Sequence, residues 1–228
     1  MKPHISNGGI ELLKWIGLVL MMLDHINTFI LNGKYPFLFE AGRVVMPLFA
    51  FVLAYNLART SKNESVYKRV MQRLLIYGVI ATPFFIAIHS VNVMGLSWYR
   101  LNILFTLLVS TICIYCLEKG DSVSFSAFIV VFVLGGAFVE FLHPAILFTV
   151  FAWQYCRSGK KQCLLLMLLM VFPIGIINRS MSGAFSLALI FLVSKVDINI
   201  PRAKNFFYAF YPVHLSVLYF ASFLLSQY

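Results

Sequence analysis

The chain has 228 residues, 61% of them hydrophobic and only 11% charged, with a mean hydropathy of +0.88. A soluble domain carries about 25% charged residues, so this composition excludes an ordinary water-soluble globule. The formal net charge of +10 does not point to nucleic acid, because no loop is long enough to form a basic domain; it fits basic residues gathered in the cytoplasmic loops of a protein crossing a lipid bilayer many times.

Apolar blocks recur along the chain, each close to the ~20 residues that a helix needs to cross ~30 Å of hydrocarbon. Backbone amides in lipid must be paired within the segment, and the alternation of a β-barrel strand is absent, so the blocks are predicted to be helices. Nine spans are predicted, at 11–31, 37–57, 71–89, 101–117, 123–140, 142–155, 163–178, 182–196 and 206–225. The fold class is all-α, a polytopic transmembrane helical bundle forming one domain over 1–228.

The first span follows Lys14 and runs through Asp24 and His25 to Leu31 with no small-residue cleavage site, so it reads as a retained span rather than a signal peptide. It carries Leu23-Asp24-His25-Ile26-Asn27, and the second span carries Glu40 and Arg43. A charge at the centre of a span costs about 2.5–3.5 kcal/mol on insertion scales, so each one calls for a reason. The turn between the two spans is short, which makes them antiparallel neighbours with Asp24, His25 and Arg43 at one depth. Successive helical residues point about 100° apart, so Asp24 is expected to pair with Arg43, leaving His25 to face a cavity. Pro47 displaces the carbonyl of Arg43 and predicts a kink there, while Gly42 allows a neighbour to approach closely.

The fourth span offers Asn102 and Thr106 on one face. They are candidates to orient a base or bind a carbonyl oxygen, though bonding between helices is the commoner role for such residues. Cys113 and Cys116 form a CxxC inside an apolar helix and, with Cys156 and Cys163, read as structural thiols. Glu140 to Pro144 predicts a turn between the fifth and sixth spans, the pair whose division is least clear. The last span carries Tyr208, Tyr211 and, after Pro212, His214, a second candidate imidazole. His4, His89 and His143 fall at span ends, where polar residues need no special explanation. No histidine and carboxylate set has metal-ligand spacing, and no phosphate loop or nucleophile elbow occurs.

With a cytoplasmic N-terminus, fourteen of the eighteen Lys and Arg residues lie on the cytoplasmic side and three on the other, with Arg43 inside a span. That satisfies the positive-inside rule and predicts an extracytoplasmic C-terminus. The polar residues are compatible with several functions. Imidazole accepts and returns a proton near pH 7, which suits a general base at His25, but intramembrane Asp, His and Arg also suit a small-solute or proton-coupled transporter. Against a transporter, no two-halves repeat is present.

Three blocks carry a family resemblance: Lys14 to Asn27 with Asp24-His25; Ala41-Gly42-Arg43 through Pro47 to Asn56 and Arg59; and Phe207 to Leu215 with Tyr211 and His214. Arg100-Leu101-Asn102 is a weaker fourth. In them the chain resembles the TraX family of conjugative pilin acetylases, itself distantly similar to multispanning acyltransferases that use acyl-coenzyme A. It keeps the family pattern at Asp24, His25, Arg43 and Pro47, whereas 118–200 adds little. The resemblance implies transfer of an acetyl group from acetyl-CoA to the N-terminal amine of a conjugative pilin subunit in the bacterial inner membrane, without a metal. On that reading His25 is the base, Asp24 and Arg43 hold the site, Arg43 or Asn102 stabilises the oxyanion, and His214 is a further catalytic candidate. Arg59, Lys62, Arg69 and Arg73 are available for the coenzyme A phosphates, although the positive-inside rule accounts for them equally well. A sugar or lipid acceptor and a non-catalytic pilin-holding role remain alternatives.

Overall fold

The computed structural model describes residues 2–60, 63–92 and 100–225. Among them every regular element is a helix, apart from one isolated β-bridge between Leu101 and Val139, and every predicted span is occupied by helix. The elements are α1 (Asn7–Phe29), α2 (Pro36–Gly42), α3 (Val45–Arg59), α4 (Glu64–Asn92), α5 (Ile103–Lys119), α6 (Ser122–Val130), α7 (Gly136–Phe138), α8 (Leu142–Ser158), α9 (Lys161–Asn178), α10 (Phe185–Val193) and α11 (Phe206–Leu225). A π-helical turn, Val131–Gly135, joins α6 to α7. Four stretches, Pro36–Arg59, Glu64–His89, Lys161–Asn178 and Phe206–Leu225, are long and apolar enough to cross a membrane. Leu165, Leu169, Phe172 and Ile176 of α9 are exposed, an apolar surface suited to lipid rather than water.

Local chemistry sets the helix ends. The second predicted span is broken at Arg43 and Val44, between α2 and α3, where Pro47 cannot donate to the Arg43 carbonyl. Helix α4 starts at Glu64 rather than at the predicted 71; its first two turns carry Glu64, Lys68 and Arg69, which a hydropathy reading passes over. The fifth and sixth spans are separate helices. Phe141 and Leu142 adopt left-handed backbone, φ 64° and 54°, and Pro144 sits in the first turn of α8, where a missing N–H costs nothing. Asp121 caps α6, its carboxylate accepting from the Ser124 amide at 2.8 Å and hydroxyl at 2.7 Å.

These two bonds, the amide first, hold the exposed Asp121 carboxyl below its ordinary range. A depressed carboxylate contributes stability above its unfolded pKa and loses it as pH falls through the folded value. Asp121→Ala should therefore lower the thermal midpoint at neutral pH and leave it unchanged in acid, as a melt at both pH values would report.

Packing arranges α1, α3, α5, α4 and α11 in a ring, each touching the next, with α8 wedged behind α3 and α5 and α9 packed on α8. Ala50 and Ala54 of α3 and Ala145 and Ala152 of α8 are fully buried, and small side chains let helix backbones approach closely. The turns collect at two ends. At one end Asn7 accepts from Arg59 at 2.8 Å, Tyr115 donates to Glu64 at 2.7 Å, and Glu118 pairs with Arg157. This is the basic end, with Arg59, Arg157, Lys160 and Lys161 in or beside its turns. At the opposite end Thr106 donates to the Glu140 carbonyl at 2.7 Å, and Glu40 accepts from Ser180 and, at 2.6 Å, from Ser182.

Candidate functional site

Asp24 and Arg43 meet as the sequence predicts. Arg43 Nη2 lies 2.6 Å from Asp24 Oδ2, Arg43 Nε donates to the Phe39 carbonyl at 3.2 Å, and the guanidinium lies over the Phe39 ring, 4.2 Å from its centroid. Asp24 is 6% exposed, and its Oδ1 is buried without a hydrogen-bond partner among the described residues. Gly42 makes the arrangement possible, because a Cβ there would overlap the Asp24 carboxyl group.

His25 does not stand alone. Its Nδ1 lies 2.8 Å from Nε2 of His214, which projects from α11 and is 6% exposed. The two rings are nearly coplanar, 13° apart with centroids 5.1 Å apart. Phe210 stacks on His214 at 5.3 Å and Tyr211 meets it edge-on at 5.3 Å. Phe29 sits between His25 and His89, 5.6 and 5.3 Å from their ring centroids. His89, which the sequence leaves as a span-end residue, thus belongs to the surroundings of the pair. Its Nδ1 donates to the Phe85 carbonyl at 2.8 Å.

Asn102 is placed differently from expectation. It is the N-cap of α5 rather than a residue within the helix, accepting from the Leu104 amide at 3.1 Å. Its amide nitrogen donates to the Gly78 carbonyl at 3.0 Å and to Thr82 Oγ1 at 3.2 Å. Asparagine favours this position because its short side chain reaches an amide that the helix leaves unpaired. Thr106 is also committed to bonding between elements, through the Glu140 carbonyl.

A cavity of about 690 Å³ lies inside the ring of α1, α3, α4, α5 and α11. Its basic end is lined by Arg59, Arg69, Arg73, Arg202 and Lys204, and its inner wall includes Met21, Leu104 and Tyr211. Met21 stands one turn before His25 on α1, and Tyr211 one turn before His214 on α11. Three of the four basic residues singled out for an anionic ligand therefore line the cavity; Lys62 lies outside the described residues. Val66, Arg69, Val70 and Arg73 share one face of α4, the i, i+3, i+4, i+7 spacing that marks this wall in the sequence. The cavity joins a cationic mouth to an apolar shaft whose inner wall, at Met21 and Tyr211, stands one helical turn from the two hydrogen-bonded imidazoles. Such a site suits a ligand with an anionic head and a narrow tail, and proton transfer at the tail's end.

A family model described as "TraX protein" matches residues 9–222. "Protein TraX" of Escherichia coli is 31% identical over 93% of this chain and 87% of its own length. A second "Protein TraX", from Escherichia coli strain K12, is 28% identical with the same coverage of both chains. "Probable fimbrial assembly protein FimC, serogroup H1" of Dichelobacter nodosus is 26% identical over 90% of this chain and 92% of its own length. No solved structure matches the chain.

Proposed function

This chain belongs to the TraX family, and we propose that it is a membrane-embedded acetyltransferase that moves an acetyl group from acetyl-CoA to the N-terminal amine of a conjugative pilin subunit. The observation that carries this reading is the cavity that begins among Arg59, Arg69 and Arg73 and ends one turn short of His25 and His214. The kinship with a protein named for fimbrial assembly agrees with a pilus subunit as the acceptor.

In this reading the membrane is the bacterial inner membrane. The basic end faces the cytoplasm, where the donor is made, and the Asp24, His25 and Arg43 end faces outward, where a processed pilin N-terminus would lie. The arginines hold the phosphates of coenzyme A, and its arm runs along the shaft past Met21 and Tyr211. An α-amine has a pKa of about 7.7–8.0, so a nearby imidazole can take its proton with little driving force. His25 accepts that proton as the amine nitrogen bonds to the thioester carbonyl carbon. The C–S bond then breaks, and the proton passes to the leaving thiolate. The tetrahedral oxyanion needs a donor, and with the Asn102 amide protons committed to α4, the Arg43 guanidinium is the candidate.

The test is the intact mass of the cognate pilin expressed with this protein, with His25→Ala, or alone. One added acetyl group only with wild type supports the reading; unmodified pilin throughout, with the protein confirmed in the membrane, removes the pilin acceptor. Binding at the basic mouth has its own readout. Each of Arg69→Glu and Arg73→Glu should raise KM for acetyl-CoA roughly 10- to 100-fold, as expected for a charged hydrogen bond worth about 1.5–3 kcal/mol, with kcat little changed. Titration of acetyl-CoA at low and high salt checks this, and the defect should narrow as salt screens the wild-type interaction.

A further inference from the structure

His214 lies 189 residues from His25 in sequence, and its bonding decides which nitrogen of His25 can act. His214 Nδ1 is 3.1 Å from the carbonyl of Phe210. A carbonyl only accepts, so Nδ1 carries the hydrogen. A neutral imidazole has one N–H, and the other nitrogen is then an acceptor. His214 Nε2 is therefore the acceptor in the 2.8 Å contact, and His25 Nδ1 is the donor. The chain of bonds runs one way, from His25 Nδ1–H to His214 Nε2 and from His214 Nδ1–H to the Phe210 carbonyl. It leaves the lone pair of His25 on Nε2. The near-coplanar rings suit an in-line bond between ring edges, and the contacts from Phe210 and Tyr211 restrain the His214 ring.

We propose that His214 is a positioning residue that fixes His25 in the Nδ1-protonated tautomer and so presents Nε2 as the base. This rests on the reading of His25 as the general base. When Nε2 takes the amine proton, His25 becomes an imidazolium whose Nδ1–H still donates to His214. When Nε2 returns the proton to the thiolate, the starting tautomer is restored. His214 gains and loses no proton over the cycle. Its function resembles that of any group that orients a histidine through its second nitrogen.

Two measurements on the full-length protein in membranes test this. In ¹⁵N-histidine NMR, with His25→Gln used to assign the signals, wild-type His25 should show a protonated Nδ1 and a bare Nε2. In acetyl transfer, His214→Phe, which fills the space without an acceptor, should lower kcat on the order of 10²-fold and leave KM for acetyl-CoA unchanged. His214→Gln places an acceptor oxygen at the reach of Nε2 and should recover most of that loss. An Nε2-protonated His25 in the wild type, full kcat in His214→Phe, or equal losses in the Phe and Gln variants would each overturn the proposal. The NMR arm decides the tautomer even if no pilin is acetylated, so a failed acceptor and a failed role for His214 give different results.

Discussion

On the proposed function, His25→Ala should lose acetyl transfer by about 10²–10⁴-fold, the range a positioned general base contributes, while the chain still accumulates in the membrane. Two features make the loss large and specific. Of the two bonded imidazoles, His25 alone keeps an unshared lone pair, on Nε2. His214 cannot substitute, because its two nitrogens are already engaged with His25 and the Phe210 carbonyl. Coenzyme A binding should persist in the variant, because the cavity residues Arg59, Arg69 and Arg73 are untouched. Donor binding measured beside turnover separates the two effects: retained binding with lost turnover fits a base, and full turnover would remove His25 from the chemistry.

The second large effect is on folding. Arg43→Ala should destabilise the bundle by up to about 3–5 kcal/mol, the cost of removing one member of a fully buried pair, reduced to the extent that the Arg43 side chain is 20% exposed. Asp24 would be left 6% exposed with neither oxygen partnered among the described residues, beneath the backbone of Gly42. Asp24→Asn with Arg43→Gln removes both charges and should recover folded yield, because the penalty comes from the unmatched ion rather than from lost attraction. Size-exclusion profiles and thermal melts of the single and double variants in detergent report this. A double variant as unstable as Arg43→Ala would show that the guanidinium matters through its contacts with Phe39 rather than through Asp24.

The sequence disclosed the helices because hydrocarbon demands long apolar runs, and it disclosed the α2–α3 break because Pro47 cannot donate to Arg43. The Asp24–Arg43 pair followed from a short turn and from depth, both local quantities. The His25–His214 bond did not follow. It depends on α1 and α11 closing the ring, and hydropathy carries no information about which helices become neighbours. The expectation that His25 would face a cavity was therefore only partly met: the cavity ends one turn away, and the imidazole faces another imidazole. Asn102 illustrates a boundary problem. A polar residue ahead of an apolar run is an N-cap signal, but placed one residue inside the helix it read as a side chain to orient a base, bind a carbonyl or bond between helices, and its bonds to Gly78 and Thr82 are of the last kind. The cavity wall was partly readable in the spacing of Val66, Arg69, Val70 and Arg73, yet positive residues near a membrane are so common that their face alone did not distinguish a binding mouth from orientation.

The space enclosed by the five-helix ring has a thermodynamic consequence. Its volume of about 690 Å³ is space in which a bound molecule would meet the inner faces of α3, α4 and α11 and gain dispersion contacts with them. An occupant that binds only the folded ring adds stability as RT ln(1 + [L]/Kd), about 2.7 kcal/mol at a hundredfold excess over Kd. On the proposed function, the protein with coenzyme A added should therefore withstand heat and harsh detergent better than without it, as thermal melts with and without the ligand would report.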